Sequence, residues 1–502
     1  MTEVRRIMHW IDGKPYDGDP DRFGDVYDPA SGRVTAAVGF ATPEVVDRAV
    51  EAAAAALPAW RDTSLTARSA IMFRIKELLE DNADEISRIV SSEHGKVRAD
   101  ALGEIRRAID VVEFACGIPH LLKGEYSENV STNVNSYSIR QPVGVVAGIT
   151  PFNFPIMVPM WMVPIAIACG NTFVLKPSEK DPSTSVFVGE LFREAGLPDG
   201  VFNVVHGDKV AVDALLTHPK VAAVSSVGST PVAKYIYQQA STHGKRVQAL
   251  GGAKNHMVVL PDCDLDLAAD SAVSAGYGST GQRCMAISTI VAVGAAGDLL
   301  LEKMRERIGK LRIGPGSDPE ADMGPLVTGD ARDRVVSLIE QGVREGARLE
   351  VDGRDVKVEG HEEGFFVGPT VFDHVTREMT IYREEIFGPV LVMLRADRLD
   401  DAIAIVNENP YGNGTAIFTN DGGAARKFEH EIQVGMVGIN VPIPVPLAFY
   451  SFGGWKQSLF GDTHIHGPEG VRFYTRGKAV TSRWPDPTAR GVDLQFPGSR
   501  RA

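Results

Sequence analysis

The cysteine at position 284 ends the motif GQRC, which follows a glycine- and serine-rich run in SAGYGSTGQRCMAIS. From the residues alone, two interpretations stay open. Cysteine is among the most buried residue types, so Cys284 fits a small apolar filler of the core. The preceding Arg283 also fits a catalytic role, because a fixed cation stabilises the thiolate and the thiolate is the form that attacks carbonyl carbons.

Two loops earlier in the chain have features of a dinucleotide site. In AAVSSVGSTPVAKYI a predicted strand runs into Ser229 and a helix with proline in its first turn, and such a helix start attracts phosphate. The motif departs from G-x-G-x-x-G, because Ala233 stands where the last glycine would be. In the other loop the strand TFVLK ends at Lys176 and Glu179 follows, at the edge where open α/β sheets bind ligands. An acidic group there accepts from ribose hydroxyls and repels a 2′-phosphate, which favours NAD over NADP; alone, either loop also fits a helix cap with a surface charge pair.

The elements that must position these residues include a stretch without charge, from Gln141 to Leu175. Its length would suit a membrane span, but five prolines and three glycines would break a spanning helix repeatedly. The sequence instead predicts a strand PVGVVAGIT, a tight loop PFNFP, an apolar helix PMWMVPIAIACG and a second strand NTFVLK. That order is a β-α-β crossover, the unit of a parallel sheet.

Composition excludes several classes of protein. With 502 residues, 44% hydrophobic and 23% charged, the chain has the make-up of a globular protein of two or three domains. The net charge of −13 argues against a nucleic-acid surface. The four cysteines form no C-x-x-C pair, so neither a disulfide framework nor a zinc site is indicated, and we expect no metal. A reducing cytoplasm fits, since no export signal is visible at the start of the sequence.

The same alternation of short buried strands and amphipathic helices recurs along the chain, in two blocks that meet near residue 256. Two polar strands, STNVNSYSIRQP and VRFYTRGKAVTSR, have no local partner. Such strands often pair with each other or with another subunit. The tail after Trp484, rich in Pro, Asp and Arg, is predicted to be partly loose.

The motifs together resemble the aldehyde dehydrogenase superfamily over nearly the whole chain. Those that carry the resemblance are, in order, ITPFNFP, FVLKPSE, VGSTPVA, LGG, GQRC, EEIFGPV and NPYGNGTAIFT. More narrowly, GQRCMAIS, GGAKNH, NVPIPVPLAFYSF and FGDTHIHGPEGVRFYT are similar to the CoA-acylating methylmalonate-semialdehyde dehydrogenases.

The resemblance implies an α/β fold with a Rossmann-type NAD-binding domain, an α/β catalytic domain and a small β flap for oligomerisation. We expect the NAD-binding domain in 1–122 and 144–253, the catalytic domain in 254–455, and the flap in 123–143 and 456–502. A homotetramer built as a dimer of dimers follows by the same resemblance.

The resemblance also assigns roles. Cys284 would be the nucleophile that adds to the aldehyde carbon and becomes a thioester. Asn153 and the Cys284 backbone N–H would stabilise the oxyanion, although an Asx turn between two prolines also explains Asn153. The remaining residues would surround the cofactor: Thr150, Phe152, Lys176, Glu179, Lys180, Ser229, Gly251 and Glu385.

Position 249 bears on how the thioester would be released. Hydrolytic relatives carry a glutamate before LGG, whereas this chain has Ala249. Water attacks a thioester poorly without a base, but a thiol with a pKa near 8.5 is partly ionised unaided. Loss of the carboxylate therefore favours coenzyme A as acceptor; the alternatives are a hydrolytic aldehyde dehydrogenase releasing free acid, with another carboxylate or His256 as base.

Two arginines are candidates for the substrate carboxylate. By resemblance Arg107, on the helix GEIRRAIDVVEFA, and Arg283 would both bind it, since guanidinium grips a carboxylate with two hydrogen bonds. Arg107 alone also fits a solvated helix charge, and Arg283 a group that lowers the thiol pKa. The expected reaction is oxidation and decarboxylation of methylmalonate semialdehyde to propionyl-CoA, and of malonate semialdehyde to acetyl-CoA.

Overall fold

The computed structural model of the protein describes residues 4–484. The predicted loose tail after Trp484 lies outside the described residues, as does the end of the predicted flap segment.

The strands belong mainly to two large parallel sheets. In chain order they are β1 (Arg5–Ile7), β2 (His9–Ile11), β3 (Lys14–Tyr16), β4 (Phe23–Asp28), β5 (Arg33–Gly39), β6 (Tyr126–Ser131), β7 (Val134–Pro142), β8 (Val145–Ile149), β9 (Thr172–Lys176), β10 (Phe202–Val204), β11 (Val221–Val227), β12 (Arg246–Leu250), β13 (Asn255–Val259), β14 (Ile287–Val293), β15 (Arg348–Val351), β16 (Thr370–Asp373), β17 (Val390–Ala396), β18 (Tyr411–Gly412), β19 (Gly414–Phe418), β20 (Met436–Ile439), β21 (Trp455–Lys456), β22 (Leu459–Phe460) and β23 (Thr475–Arg483).

The helices pack against the faces of these sheets. In chain order they are α1 (Pro43–Asp62), α2 (Leu65–Asp81), α3 (Ala83–His94), α4 (Arg98–Cys116), α5 (Ile118–Leu121), α6 (Met157–Ala168), α7 (Ser183–Glu194), α8 (Lys209–Thr217), α9 (Thr230–Thr242), α10 (Leu265–Tyr277), α11 (Ala296–Ile308), α12 (Gly329–Arg344), α13 (Thr380–Arg383), α14 (Leu399–Glu408), α15 (Gly422–Glu431) and α16 (Gly467–Phe473).

The first large sheet has eight strands in the order β22-β12-β11-β8-β9-β10-β2-β3, and its five strands from β12 to β10 are parallel. Alternate residues of these strands enter two hydrophobic clusters: Val146 packs in one, Val145 and Ala147 in the other. Both faces of the sheet are therefore covered, as a parallel sheet requires.

The charge-free stretch forms the predicted crossover. Strands β8 and β9 are parallel neighbours, and α6 joins them. All twelve residues of α6 are buried, which explains why its sequence carries no charge. Among residues 4–484, no helix has both the length and the apolarity needed to cross a bilayer.

The second large sheet has the order β15-β16-β17-β14-β13-β19-β20, and only β15 runs against its neighbour. It is built from residues that follow the predicted boundary near 256, so the predicted second αβ block is confirmed as a separate sheet.

The two partnerless polar strands pair with each other. β7 and β23 form nine antiparallel pairs, from Thr475 opposite Pro142 to Arg483 opposite Val134, and β6 completes a three-stranded sheet. The predicted strand VRFYTRGKAVTSR begins too early, because residues 471–473 lie in α16 and their apolar side chains are buried there.

Candidate active site

The segment before Cys284 is a tight left-handed turn. After α10 ends, Ser279, Thr280 and Gly281 have φ values of 51°, 56° and 70°. A Cβ on Gly281 would lie 2.1 Å from the carbonyl oxygen of Gly388, so only glycine fits. The Ser279 N–H donates to the Asp100 carboxylate at 2.8 Å, and the Thr280 hydroxyl donates to the carbonyl of Gly324 at 2.8 Å. These contacts explain the glycine- and serine-rich run.

Two buried asparagines hold the Cys284 peptide. Nδ2 of Asn255, on β13, donates to the Cys284 carbonyl oxygen at 2.9 Å, and Nδ2 of Asn413 donates to the same oxygen at 3.1 Å. The backbone N–H groups of Cys284 and Met285 point toward the thiol. The two asparagines fix the peptide between Cys284 and Met285, and the Cys284 N–H lies beside its own sulfur, where an oxyanion formed on an attacked carbonyl needs a donor.

The Cys284 thiol is neutral in this state. Burial, reinforced by the nearby Glu385 carboxyl, raises the pKa of the thiol to about 12, although the residue keeps some exposed surface. Arg283 lowers this pKa by a smaller amount. The interpretation of Arg283 as the group that ionises the thiol is therefore outweighed by burial in the unliganded protein.

Asn153 lies in the loop between β8 and α6 and is buried. Its carbonyl oxygen accepts from Nζ of Lys96 at 2.7 Å, and Lys96 also donates to Glu104 at 2.7 Å. The loop is thus fixed by a buried ion pair rather than by an Asx turn alone.

Four sequence-predicted cofactor residues meet at the carboxyl edge of the eight-stranded sheet. Thr150 follows β8, Lys176 ends β9, Ser229 follows β11 and Gly251 follows β12, and these strands are neighbours. The Thr150 N–H donates to the Lys176 carbonyl at 3.1 Å. Parallel pairing therefore brings together residues that lie far apart in sequence.

This edge fits a dinucleotide. The Thr150 hydroxyl is buried without a partner, and the Ser229 side chain makes no capping hydrogen bond to α9, so a polar group and a helix start are both free. Lys176 Nζ contacts the Glu179 carboxylate at 3.3 Å, which keeps the acidic group at the same edge. The NAD preference expected from Glu179 is consistent with that position.

Phe152 and Lys180 lie against each other, with Lys180 Nζ 4.7 Å from the centre of the Phe152 ring. The Phe152 ring also meets the Phe387 ring edge to face at 5.8 Å. Phe387 is two residues from Glu385, so this aromatic contact connects the first sheet edge to the segment that carries Glu385.

Glu385 lines a narrow cavity of about 20 Å³ that Cys284 and Phe387 also line. One carboxylate oxygen accepts from the Ala253 N–H at 3.0 Å, and burial raises the pKa of Glu385 to about 7. Lys254 holds the same segment through the carbonyls of Ile381 and Glu384, at 2.7 and 2.8 Å. The structure thus brings Glu385 to the nucleophile. A larger cavity of about 800 Å³ lies elsewhere, between the N-terminal strands and α3.

The two candidate substrate arginines line different cavities. Arg283 donates to Asp100 at 2.6 Å and its guanidinium packs on Gly278, beside a cavity of about 370 Å³. Arg107 is half exposed, 3.5 Å from Asp110, and lines a small cavity with Trp161 and His466. The structure does not bring the two guanidinium groups together.

Ala249 lies near the carboxyl end of β12 and is fully buried in the core. His256 is turned to Tyr382, whose hydroxyl lies 3.1 Å from its ring, and burial lowers the pKa of His256 to about 3. Among the candidate bases, Glu385 is the carboxylate that shares the cavity with Cys284.

Sequence reasoning assigned no role to Asn255, Asn413, Lys96 or Glu104. Asn255 and Asn413 stand inside GGAKNH and NPYGNGTAIFT, so the motifs marked the segments without indicating which atoms they hold. A buried lysine and glutamate eight residues apart gave no usable signal, because most such pairs lie on solvated helix faces.

Comparisons with known proteins show the family and the fold. The aldehyde dehydrogenase family matches residues 16–480. A malonate-semialdehyde dehydrogenase of Pseudomonas aeruginosa is 57% identical over 95% of this chain and 96% of its own length. The acylating mitochondrial methylmalonate-semialdehyde/malonate-semialdehyde dehydrogenase of Bos taurus is 47% identical over 97% of this chain and 91% of its own. A crystal structure from Sinorhizobium meliloti, described as a methylmalonate-semialdehyde dehydrogenase complexed with NAD, has a TM-score of 0.96 and 52% identity, covering 97% of this chain and all of that one. The chain belongs to the aldehyde dehydrogenase family.

Proposed function

We propose that this protein is an NAD-dependent, CoA-acylating dehydrogenase of malonate semialdehyde and methylmalonate semialdehyde. The products would be acetyl-CoA or propionyl-CoA and carbon dioxide. The relatives named for malonate semialdehyde and for acylation support the substrate and the acceptor. The observation that carries the proposal is Ala249, a methyl group at the position where hydrolytic relatives hold a carboxylate.

Each site residue has a separate role in the oxidation of the aldehyde. Cys284 would release its thiol proton to solvent while its sulfur bonds to the aldehyde carbon, and the carbonyl electron pair would move onto the oxygen to give a thiohemiacetal oxyanion. The side-chain amide of Asn153 and the Cys284 N–H stabilise the oxyanion. When bound, NAD would supply the hydride acceptor, and loss of hydride from this carbon would leave a thioester on Cys284. Thr150, Lys176, Glu179, Ser229 and Gly251 would hold the cofactor.

Release of the acyl group would require the CoA thiol to attack the thioester carbon and expel Cys284. For a substrate with a β-carboxylate, loss of carbon dioxide leaves an enolate that takes a proton from solvent. The oxyanion donors used for Cys284 addition can stabilise that enolate oxygen. Absence of labelled carbon dioxide or bicarbonate from the purified reaction would contradict the decarboxylation step.

A hydrolytic dehydrogenase is the second candidate. Glu385 favours it, because this carboxylate lies in the same cavity as Cys284. One of its oxygens is already bound to Ala253, and with a pKa of about 7 it is partly protonated at neutral pH. The hydrogen bond from Ala253 weakens it as a base for water because it occupies one oxygen, whereas a pKa near 7 suits a general base at neutral pH.

The deciding experiment mixes semialdehyde and NAD with and without CoA and measures NADH, acyl-CoA and free acid. The proposal expects one NADH per active site without CoA, and continuing turnover to acyl-CoA with it. Many turnovers to free acid without CoA would establish the hydrolytic reaction. Cys284→Ala should abolish the burst of NADH, whereas Cys263→Ser, at a partly exposed thiol on another loop, should keep it.

The predicted domains and assembly remain proposals. Sheet membership supports the division at residues 253 and 254, while β22 joins the first sheet through β12, so part of the 456–502 segment packs on the NAD-binding side. β23 and β20 are edge strands of two different sheets, and β23 is largely exposed, which supports pairing between copies in a dimer or a dimer of dimers. Light scattering after size exclusion would measure the number of chains.

A further inference from the structure

The start of helix α4 contacts both catalytic loops. Lys96 lies two residues before the helix, and Asp100 and Glu104 lie one turn apart within it. Residues four apart share a helix face. The spacing therefore aims three charged side chains at one region, the junction between the Asn153 loop and the Cys284 loop.

The first set of contacts, called here the first arm, joins Lys96 and Glu104 to the Asn153 loop. Lys96 Nζ donates to the Asn153 carbonyl oxygen, and Glu104 accepts from the N–H groups of Ile156 and Met157 at 2.9 and 3.1 Å. The Lys96 and Glu104 side chains have no exposed surface. Lys96 Nζ also lies 4.5 Å from the centre of the Phe154 ring. Four of the five positions from 153 to 157 are thus contacted by one buried ion pair.

The second set of contacts, called here the second arm, joins Asp100 to the Cys284 loop. The two oxygens of Asp100 accept from the Ser279 N–H at 2.8 Å and from Arg283 at 2.6 Å. The backbone before α4 adds a third contact: a Cβ on Gly324 would lie 2.1 Å from the Gly95 carbonyl oxygen, and Gly324 accepts from Thr280. The left-handed turn before Cys284 is therefore held by the same short segment.

In this buried cluster, one positive side chain is paired with one negative side chain. Burial raises the pKa of the neighbouring Asp181 well above its ordinary value, which favours the neutral carboxyl. His94, also buried, has its pKa lowered by burial and by Lys96, so it stays neutral. Lys96 and Glu104 are then the charged partners, and removing one leaves the other buried and unpaired.

We propose that Lys96, Asp100 and Glu104 are positioning residues that set the distance and angle between the oxyanion donor Asn153 and the nucleophile Cys284. The inference rests on the proposed function, because it presumes that Asn153 and Cys284 act on one aldehyde. A small displacement of a catalytic group can cost about a hundredfold in rate. Lys96 and Glu104 would act on kcat more than on KM, because they touch neither substrate nor cofactor.

The test of the first arm compares Lys96→Met, Glu104→Gln and the double variant in the full-length enzyme. The double variant keeps an acceptor for the Ile156 and Met157 N–H groups and removes both charges, so its melting temperature should recover to near wild type. Its NADH burst should stay at least about tenfold slow, with KM for semialdehyde changed less than about threefold, because the donor to Asn153 is missing. Glu104→Gln, which keeps that donor, should be faster than Lys96→Met.

The ranking of the variants by melting temperature should therefore differ from their ranking by burst rate. Burst rates that follow melting temperatures, or a wild-type burst in the double variant, would overturn the first arm. The exposed pair Lys76 and Glu80, 2.6 Å apart on α2, supplies the matched control: Lys76→Met/Glu80→Gln should change neither quantity.

The second arm is tested without substrate, by the rate at which iodoacetamide modifies Cys284. Cys116, Cys169 and Cys263 stay in the protein, and peptide mass analysis reports the modification of Cys284 separately. Asp100→Ala should change this rate at least about threefold, because the turn before Cys284 loses its acceptor. Lys96→Met should leave it within about twofold. Equal rates in all three proteins would overturn the second arm. A wild-type enzyme without any NADH burst would instead contradict the proposed function, while the alkylation result would still stand.

Discussion

Asn255 Nδ2 lies 2.9 Å from the carbonyl oxygen of Cys284 and 2.9 Å from that of Ala286, so one amide bridges two carbonyls around the nucleophile. Its Oδ1 accepts from the Gly414 N–H at 3.0 Å. Position 255 therefore requires a side chain with both a donor and an acceptor. The orientation of the peptides that follow Cys284 depends on that side chain.

Asn255→Asp should therefore slow the enzyme by about tenfold or more, because a carboxylate would face two carbonyl oxygens and displace the backbone that follows Cys284. Single-turnover NADH formation measures the effect. Asn407 offers a control, since its amide also bridges backbone groups, Glu431 O and Gln433 N, on the surface. Asn407→Asp should keep the wild-type rate, and an unchanged rate in Asn255→Asp would contradict the assignment.

The thiol of Cys284 should respond to pH as a buried group. With a pKa of about 12, its thiolate fraction rises about tenfold per pH unit over the range from about pH 7 to pH 10, and alkylation of the unliganded enzyme should follow. Glu385→Gln removes a carboxylate that raises the thiol pKa, so alkylation above about pH 7 should become faster. The exposed neighbour Glu384→Gln should have little effect. A plateau in the wild-type rate near pH 8 would mean that the thiol is not buried in this way.

Comparing Gly281→Ala with Gly196→Ala separates the cost of backbone strain from the cost of a steric clash. Gly281 and Gly196 both have positive φ, 70° and 89°, but a Cβ on Gly281 meets the Gly388 carbonyl at 2.1 Å and one on Gly196 meets nothing within 4 Å. Strain alone should cost Gly196→Ala about 1 kcal/mol. Gly281→Ala should lose more stability and most activity, as measured by thermal unfolding and turnover. Equal destabilisation of the two variants would argue that the contact with Gly388 relaxes freely.

Arg107 and Arg283 should differ as substrate residues. Arg107 is half exposed and weakly paired, so Arg107→Gln should leave stability almost unchanged and raise KM for malonate semialdehyde about tenfold or more, without raising KM for propanal. Arg106→Gln, at an exposed neighbour, is the control. Arg283→Gln should lower the melting temperature as well, because Asp100 loses its partner. If KM rises equally for both aldehydes in Arg107→Gln, the side chain does not bind the carboxylate.

The residues alone predicted the crossover, the two αβ blocks and the position of Lys176 and Glu179 at a strand's carboxyl edge, because each depends on periodicity, turn residues and chain order. The charge-free stretch, for example, must be buried all round, and α6 is. The first strands were not predicted: β2 and β3 are three residues each and take their stability from the edge of the first sheet rather than from their own sequence.

Local sequence supplied the glycine at position 281 that suits a left-handed turn before Cys284, whereas the positive φ of Ser279 and Thr280 goes with tertiary contacts to Asp100 and Gly324. Local sequence could not determine the ionisation of the thiol, nor the partners of Lys96 and Asp100. Both depend on burial and on atoms more than fifty residues away, and only the tertiary structure brings those into contact.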